Sequence, residues 1–282
     1  MRFPKKINFK IVLTILAVAG LGAFLLKDFV FQEKLKEAPI ELGGIPTPPK
    51  IKLEVRTSNL PPKAAYMAII LDDWGNNYSL VKEVLAVKRP MTLAVLPNLP
   101  FSKKIADEAH KNHLGVMLHM PMQPMNTRQP LEPHTILTTT PDAEINELLS
   151  KALASVPHVE GMNNHMGSAA TSDLRVMRSV LKYLKAKGLF FIDSNVIPQT
   201  VGPRAAREAG IPFAMRDVFI DNESTVDAVK QKLLEAKNIA LRKGQVVVIG
   251  HDKKQTLQAI KEIVPSLEKE GVRLVLVKEL VK

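Results

Sequence analysis

Two consecutive carboxylates, Asp72 and Asp73, follow the apolar run AIIL and precede Trp74 and Gly75. Three histidines stand at or just past other apolar runs: His119 after GVML, His165 in NNHMGS and His251 in VVVIGHD. One Asp and two neutral imidazoles make a first shell for zinc or another borderline divalent ion where thiolates are absent, and this chain has no cysteine. An ion so held polarises a carbonyl and lowers the pKa of its water to roughly 7. A neighbouring carboxylate then takes the proton of that water, and a histidine across the site protonates the leaving group. Asp72 and Asp73 supply both a ligand and a base, and Asp193 closes a further run, LFFID. The remaining histidines, His110, His113, His134 and His158, fall on helices or loops and are read as structural.

Side chains of this kind must be held by a frame. After Lys63 short apolar runs alternate with amphipathic stretches, the pattern of βα units around a parallel sheet. The runs begin at Tyr66, Met91, Gly115, Leu189, Val246 and Val272, with weaker ones over Val159–Met162 and Phe213–Ile220. Helices are expected from Ser172 and Asp173 to a stop at Gly188, from Ser224 with Asp227 three residues on to Gly244, and from Thr256 to Gly271. Together they predict an α/β fold, a distorted seven- or eight-stranded (β/α) barrel in which residues past the C-terminal ends of the strands carry the chemistry. No glycine-rich nucleotide signature follows any strand. Trp74 is expected at the mouth, with a ring face for a sugar, or packed beneath a loop. Met117, Met120, Met122 and Met125 read as pliable apolar lining rather than a soft-metal site. Arg204 and Arg207 read as a helix face, and Asp217 and Asp221 lie near the cleft without an assigned role.

The 282 residues are 46% hydrophobic and 24% charged, which excludes collagen, a coiled-coil rod and wholesale disorder. Net charge is +11, but the first 62 residues hold ten basic and five acidic side chains, so nearly half the excess lies outside the body. That placement, with no aromatic interleaving, argues against nucleic acid and for a membrane surface. Ile11–Leu26 is sixteen residues without a charge, preceded by Arg2, Lys5, Lys6 and Lys10. This predicts an N-terminal hydrophobic helix over residues 1–31 that anchors the chain in a membrane, a signal peptide being the alternative. Cleavage after Ala19 would leave apolar stretches on both sides, so an uncleaved anchor is preferred. The positive-inside rule then places the body in the periplasm or at the cell exterior, secreted if the segment is cleaved. Residues 32–62, with six prolines, read as a linker, and 63–282 as one domain.

AIILDDWG, HMPMQP, NNHMGS, FIDSN and VVVIGHD, in this order, resemble the divergent polysaccharide deacetylase family over roughly residues 63–282. The resemblance implies the NodB-type barrel of certain carbohydrate esterases, in which metal-bound water removes N-acetyl or O-acetyl groups from polysaccharides. Typical members carry T-F-D-D-G, H-x-x-x-H and a late L-x-H. By that pattern Asp72 is the base, Asp73 and His119 are metal ligands and His251 is the acid. Gln123 stands where the second histidine of the middle motif belongs, and an amide cannot replace imidazole as a good zinc ligand. His165, from the next strand, is expected in its place, with Asn163 or Asn164 orienting it or binding substrate together with Trp74 and Asp193. The arginine that typical members carry after the fourth strand is absent. The implied function is metal-dependent deacetylation, with zinc the expected ion, of an envelope or extracellular polysaccharide. The alternative, prompted by Gln123, is a catalytically silent barrel that binds glycan or an envelope-assembly partner.

Overall fold

The structure, a computed structural model, describes residues 65–282. The anchor and linker expected over residues 1–31 and 32–62 lie outside the described residues, and among those described no helix is long and apolar enough to cross a membrane. The strands are β1 (Ala65–Trp74), β2 (Thr92–Val95), β3 (Gly115–Met122), β4 (Gly161–Met166), β5 (Phe190–Asp193), β6 (Phe213–Met215), β7 (Val218–Phe219), β8 (Gln245–His251) and β9 (Val272–Val275). The helices are α1 (Val81–Leu85), α2 (Ser102–Lys111), α3 (Asp142–Ser155), α4 (Leu174–Ala186), α5 (Gly202–Ala209), α6 (Val226–Lys243) and α7 (Lys254–Lys269). Asp173 caps α4 by accepting the Val176 N–H, while Thr225 rather than Ser224 caps α6, accepting from Ala228.

Every strand pair is parallel, in the order β6-β5-β4-β3-β2-β1-β8-β7, with β9 on the first half of β1. The run Phe213–Ile220, expected as one strand, holds two. Its first half pairs with β5 and its second with β8, so one short stretch joins the two ends of the sheet. The change of partner falls at Arg216, whose N–H donates to the Asp193 carbonyl, and Asp217, whose N–H donates to Val247.

Both faces of the sheet are buried, and alternation decides which face each side chain meets. Ala68, Ile70, Ala94, Met117, Ile192, Val247 and Ile249 form the inner cluster. Their neighbours Met67, Ile69, Leu71, Leu93, Leu118, Phe191 and Val248 pack outward against the helices. Gly161 occupies an inner position because a Cβ there would lie 2.3 Å from the Phe190 ring. Val277 and Leu280, past β9, also belong to the inner cluster, so the C-terminal residues seal the end of the barrel opposite the site.

Candidate active site

Continuing each inner row by two residues toward the C-terminal end of its strand replaces hydrocarbon with polar chemistry. Ile70 leads to Asp72, Met117 to His119, Gly161 to Asn163 and then His165, Ile192 to Ser194, and Ile249 to His251. The parity that packs the barrel thus aims these side chains at one mouth.

Asp73 breaks the parity. Leu71 pairs with Leu93 and Trp74 with Val95, so β1 carries one extra residue there, and Asp73 has φ of 67°. This bulge turns Asp73 inward beside Asp72 and sends Trp74 outward. A left-handed non-glycine residue costs about 1–3 kcal/mol, least for Asp and Asn, and such strain clusters at functional sites. Trp74 is consequently fully buried in the outer core and offers no ring face to the mouth.

Asp73 Oδ1, His119 Nε2 and His165 Nδ1 form a small triangle: 3.3 Å from Asp73 to His119, 3.0 Å from Asp73 to His165 and 3.2 Å between the histidines. Ligand bonds of about 2.0–2.1 Å at roughly 90–110° put neighbouring donors about 2.8–3.4 Å apart, so the triangle suits one divalent cation. Asp73 Oδ1 and His165 Nε2 are also buried without a conventional hydrogen-bond partner. Behind the triangle the tautomer is set by a relay. Asp72 Oδ1 accepts from the Asn163 amide at 2.9 Å, which leaves Asn163 Oδ1 to accept from His119 Nδ1 at 2.8 Å. His119 Nε2 is thereby left to face Asp73.

The electrostatics follow from burial and neighbours. Burial raises the Asp72 carboxyl, against the charge of His119 and the Asn163 hydrogen bond. Burial also works on Asp73, but the His119 and His165 imidazoles beside it overcome it and hold that carboxyl far below the usual range. His119 is pulled down by burial and up by Asp72 and Asp73, and stands at about 9.

His251 faces the triangle from the other side, its Nε2 3.7 Å from Asp73 Oδ2. Its Nδ1 meets Asp221 Oδ1 at 2.9 Å, while Asp221 Oδ2 accepts the His251 N–H and the Thr256 hydroxyl. Burial lowers the His251 imidazole, and the Asp221 hydrogen bond with the charge of Asp73 more than reverses it.

Asp72, Asp73, His119, His165 and His251 are therefore brought together, with Asn163 as the bridge. Asn164 and Asp193 support loops instead: Asn164 holds Met166 and Ser194, and Asp193 accepts from Thr200 and the Asn195 N–H. Gln123 is spent on its loop, its side-chain oxygen accepting from the Thr138 N–H and hydroxyl. Met120 and Met122 pack in the outer core and Met125 is exposed, so of the four only Met117 lines the barrel interior. Sequence reasoning left Asp221 near the cleft without a role and gave none to Arg216 or Asp252. Asp221 follows a two-residue strand and had only its position to betray it. Arg216 comes from the closing run, stacks on Phe219 and brings a positive charge that acts on Asp72 and Asp193. Asp252, half-buried, is raised to about 7 by burial and by Asp73, and its N–H donates to the Asp72 carbonyl.

A sequence model of divergent polysaccharide deacetylases matches residues 69–281. The uncharacterized protein YibQ of Escherichia coli K12 is 34% identical over 207 residues, 73% of this chain and 65% of that protein. The chain thus spans a little under two thirds of the length of that relative. An uncharacterized protein of Haemophilus influenzae is 30% identical over 194 residues, 69% of each chain. Among solved structures, an uncharacterized protein from Agrobacterium tumefaciens C58 shares the fold at a TM-score of 0.74 and 21% identity, covering 78% of this chain and 90% of its own.

Proposed function

This chain belongs to the divergent polysaccharide deacetylase family, and we propose that it hydrolyses acetyl groups from an envelope or extracellular polysaccharide, with a divalent cation held by Asp73, His119 and His165. The observation that carries the reading is the donor triangle with the His251–Asp221 pair set against it. Two imidazoles and a carboxylate favour zinc among the common ions. Such a cation, when bound, polarises the acetyl carbonyl and acidifies water beside it. Asp72, as its carboxylate, accepts a proton from the attacking water. The water oxygen bonds to the carbonyl carbon, the bond from that carbon to the sugar nitrogen or oxygen breaks, and His251 Nε2 gives its proton to the leaving atom. Acetate and the free sugar amine or hydroxyl result. Asp221 keeps the His251 ring turned toward the site, and Asn163 keeps Asp72 and His119 in register.

The uncharged run Ile11–Leu26 with its preceding basic cluster supports a membrane anchor and a body outside the cytoplasm. Protease added to intact and to permeabilised cells distinguishes the two sides.

The deciding experiment measures metal content and acetate release on the purified chain after exposure to zinc, nickel, cobalt and manganese. About one ion per chain, lost in His119→Ala and His165→Ala, with acetate released from acetylated glycans and abolished in Asp72→Asn and His251→Ala, is expected. Absence of a stoichiometric ion at saturation overturns the reading. An ion without turnover on any acetylated glycan makes the barrel a binding protein.

A further inference from the structure

One wall of the domain carries a row of exposed cations. Residues 65–282 carry 28 basic and 23 acidic side chains, an excess of five. Arg175, Arg178, Lys182 and Lys185 are all exposed on α4 at spacings of three, four and three residues, which is one helix face about 15 Å long. Arg204, paired with Glu208, continues the surface onto α5, where Arg207 lines a further groove, and Asp142 and Glu208 are the only acids among the residues lining these grooves. Asp142 is taken by Arg175, and Glu208 is shared by Arg178 and Arg204. Lys182 and Arg207 have no acidic partner among the described residues.

The surface is grooved. A cleft of about 450 Å³ lies between α3 and α4 and another of about 290 Å³ between α4 and α5. Arg178 and Lys182 form the lip common to both, and Tyr183 presents a ring to the first. The wall adjoins the mouth. α4 begins nine residues after His165, and Arg175 in its first turn donates to the carbonyl of Thr138, the residue that holds Gln123.

We propose that this wall docks an acidic polysaccharide strand, one bearing carboxylate or phosphate groups, whose acetylated sugar enters the mouth. The inference rests on the deacetylase reading and narrows its substrate to charged glycans. Clefts with cations on their lips receive a thread, whereas a flat lipid surface would touch only the ridge of α4. Screened Coulomb attraction of this kind raises capture at low salt and fades within about 10 Å at 0.1 M.

The test uses the full chain with polygalacturonate oligomers, neutral chitin oligomers of equal length and phosphatidylglycerol vesicles. Polygalacturonate is expected to bind most tightly, more weakly as salt rises, and about tenfold more weakly to K182Q/R207Q. K254Q/K261Q, an equal charge loss on α7, is expected to bind within twofold of the parent. Equal weakening in both variants overturns the proposal, as does equal affinity for neutral and acidic oligomers. Vesicle binding lost in K182Q/R207Q while polygalacturonate binding stays also overturns it, in favour of a membrane face. Ion content and acetate release from small acetylated sugars are read on the same preparations. If they hold while docking fails, the deacetylase reading stands and only the wall is lost; if they fail too, both fall.

Discussion

Asp221 grips His251 twice, accepting from its ring nitrogen at 2.9 Å and from its backbone N–H at 2.8 Å. A carboxylate so placed fixes the ring about both the tautomer and the torsion, leaving Nε2 turned toward Asp73 and free for the proposed proton transfer. Asp221→Asn keeps the shape but can turn an amide N–H toward Nδ1. General acid catalysis contributes about 10²–10⁴-fold, so kcat is expected to fall about a hundredfold or more. KM and ion content should hold. A variant that loses its ion or melts early would reduce Asp221 to a structural role.

Gln123→His restores the letter of the H-x-x-x-H motif, yet it is expected to restore nothing. The side chain faces Thr138, and replacing it breaks two hydrogen bonds, costing about 0.5–1.5 kcal/mol each. Combined with His165→Ala, it should leave the chain without a stoichiometric ion. Recovery of the ion in that double variant would show that the loop can deliver a ligand after all.

Gly161 admits no side chain while Phe190 lies across it. Gly161→Ala is expected to destabilise the domain by about 1–3 kcal/mol, in the range of overpacked cores. Phe190→Leu should relieve part of that, a coupling that denaturant unfolding of the four variants of a double-mutant cycle measures. Additive effects would mean that the ring does not set the limit.

Trp74 is the sole tryptophan of the chain and is fully buried in the outer core. Its emission should be blue-shifted, resist iodide and stay unchanged when an acetylated glycan occupies the mouth. Quenching on glycan addition would place the ring where the sequence alone had suggested it.

The barrel was legible because parallel strands buried on both faces leave dense apolar runs, and the site because its residues extend the inner rows of those runs. His165 was within reach for that reason, at even spacing from Gly161 and Asn163 on β4. Trp74 was misjudged for a reason that spacing does not show: the bulge at Asp73 shifts every later residue of β1 to the opposite face. Asn164 and Asp193 stand on the outer parity, a distinction lost when they are read merely as near strand ends. β4 also runs four residues beyond its expected end at Met162, which places the histidine on a strand rather than a loop. Asp221 and Arg216 stayed obscure because β6 and β7 are three and two residues long, too short for any pattern to register.

The join at Phe213–Phe219 divides the labour of the chain. The three candidate ligands and the carboxylate behind them come from β1, β3 and β4, consecutive neighbours with β2 in one arc of the sheet. The proposed proton donor, His251, lies on β8 and its carboxylate, Asp221, just past β7, beyond the join. Substitutions that slacken those seven residues would therefore loosen the acid before they touched the ion site. On the proposed function, drift in those residues would carry a catalyst to an ion-bearing receptor that keeps every candidate ligand while losing the reaction.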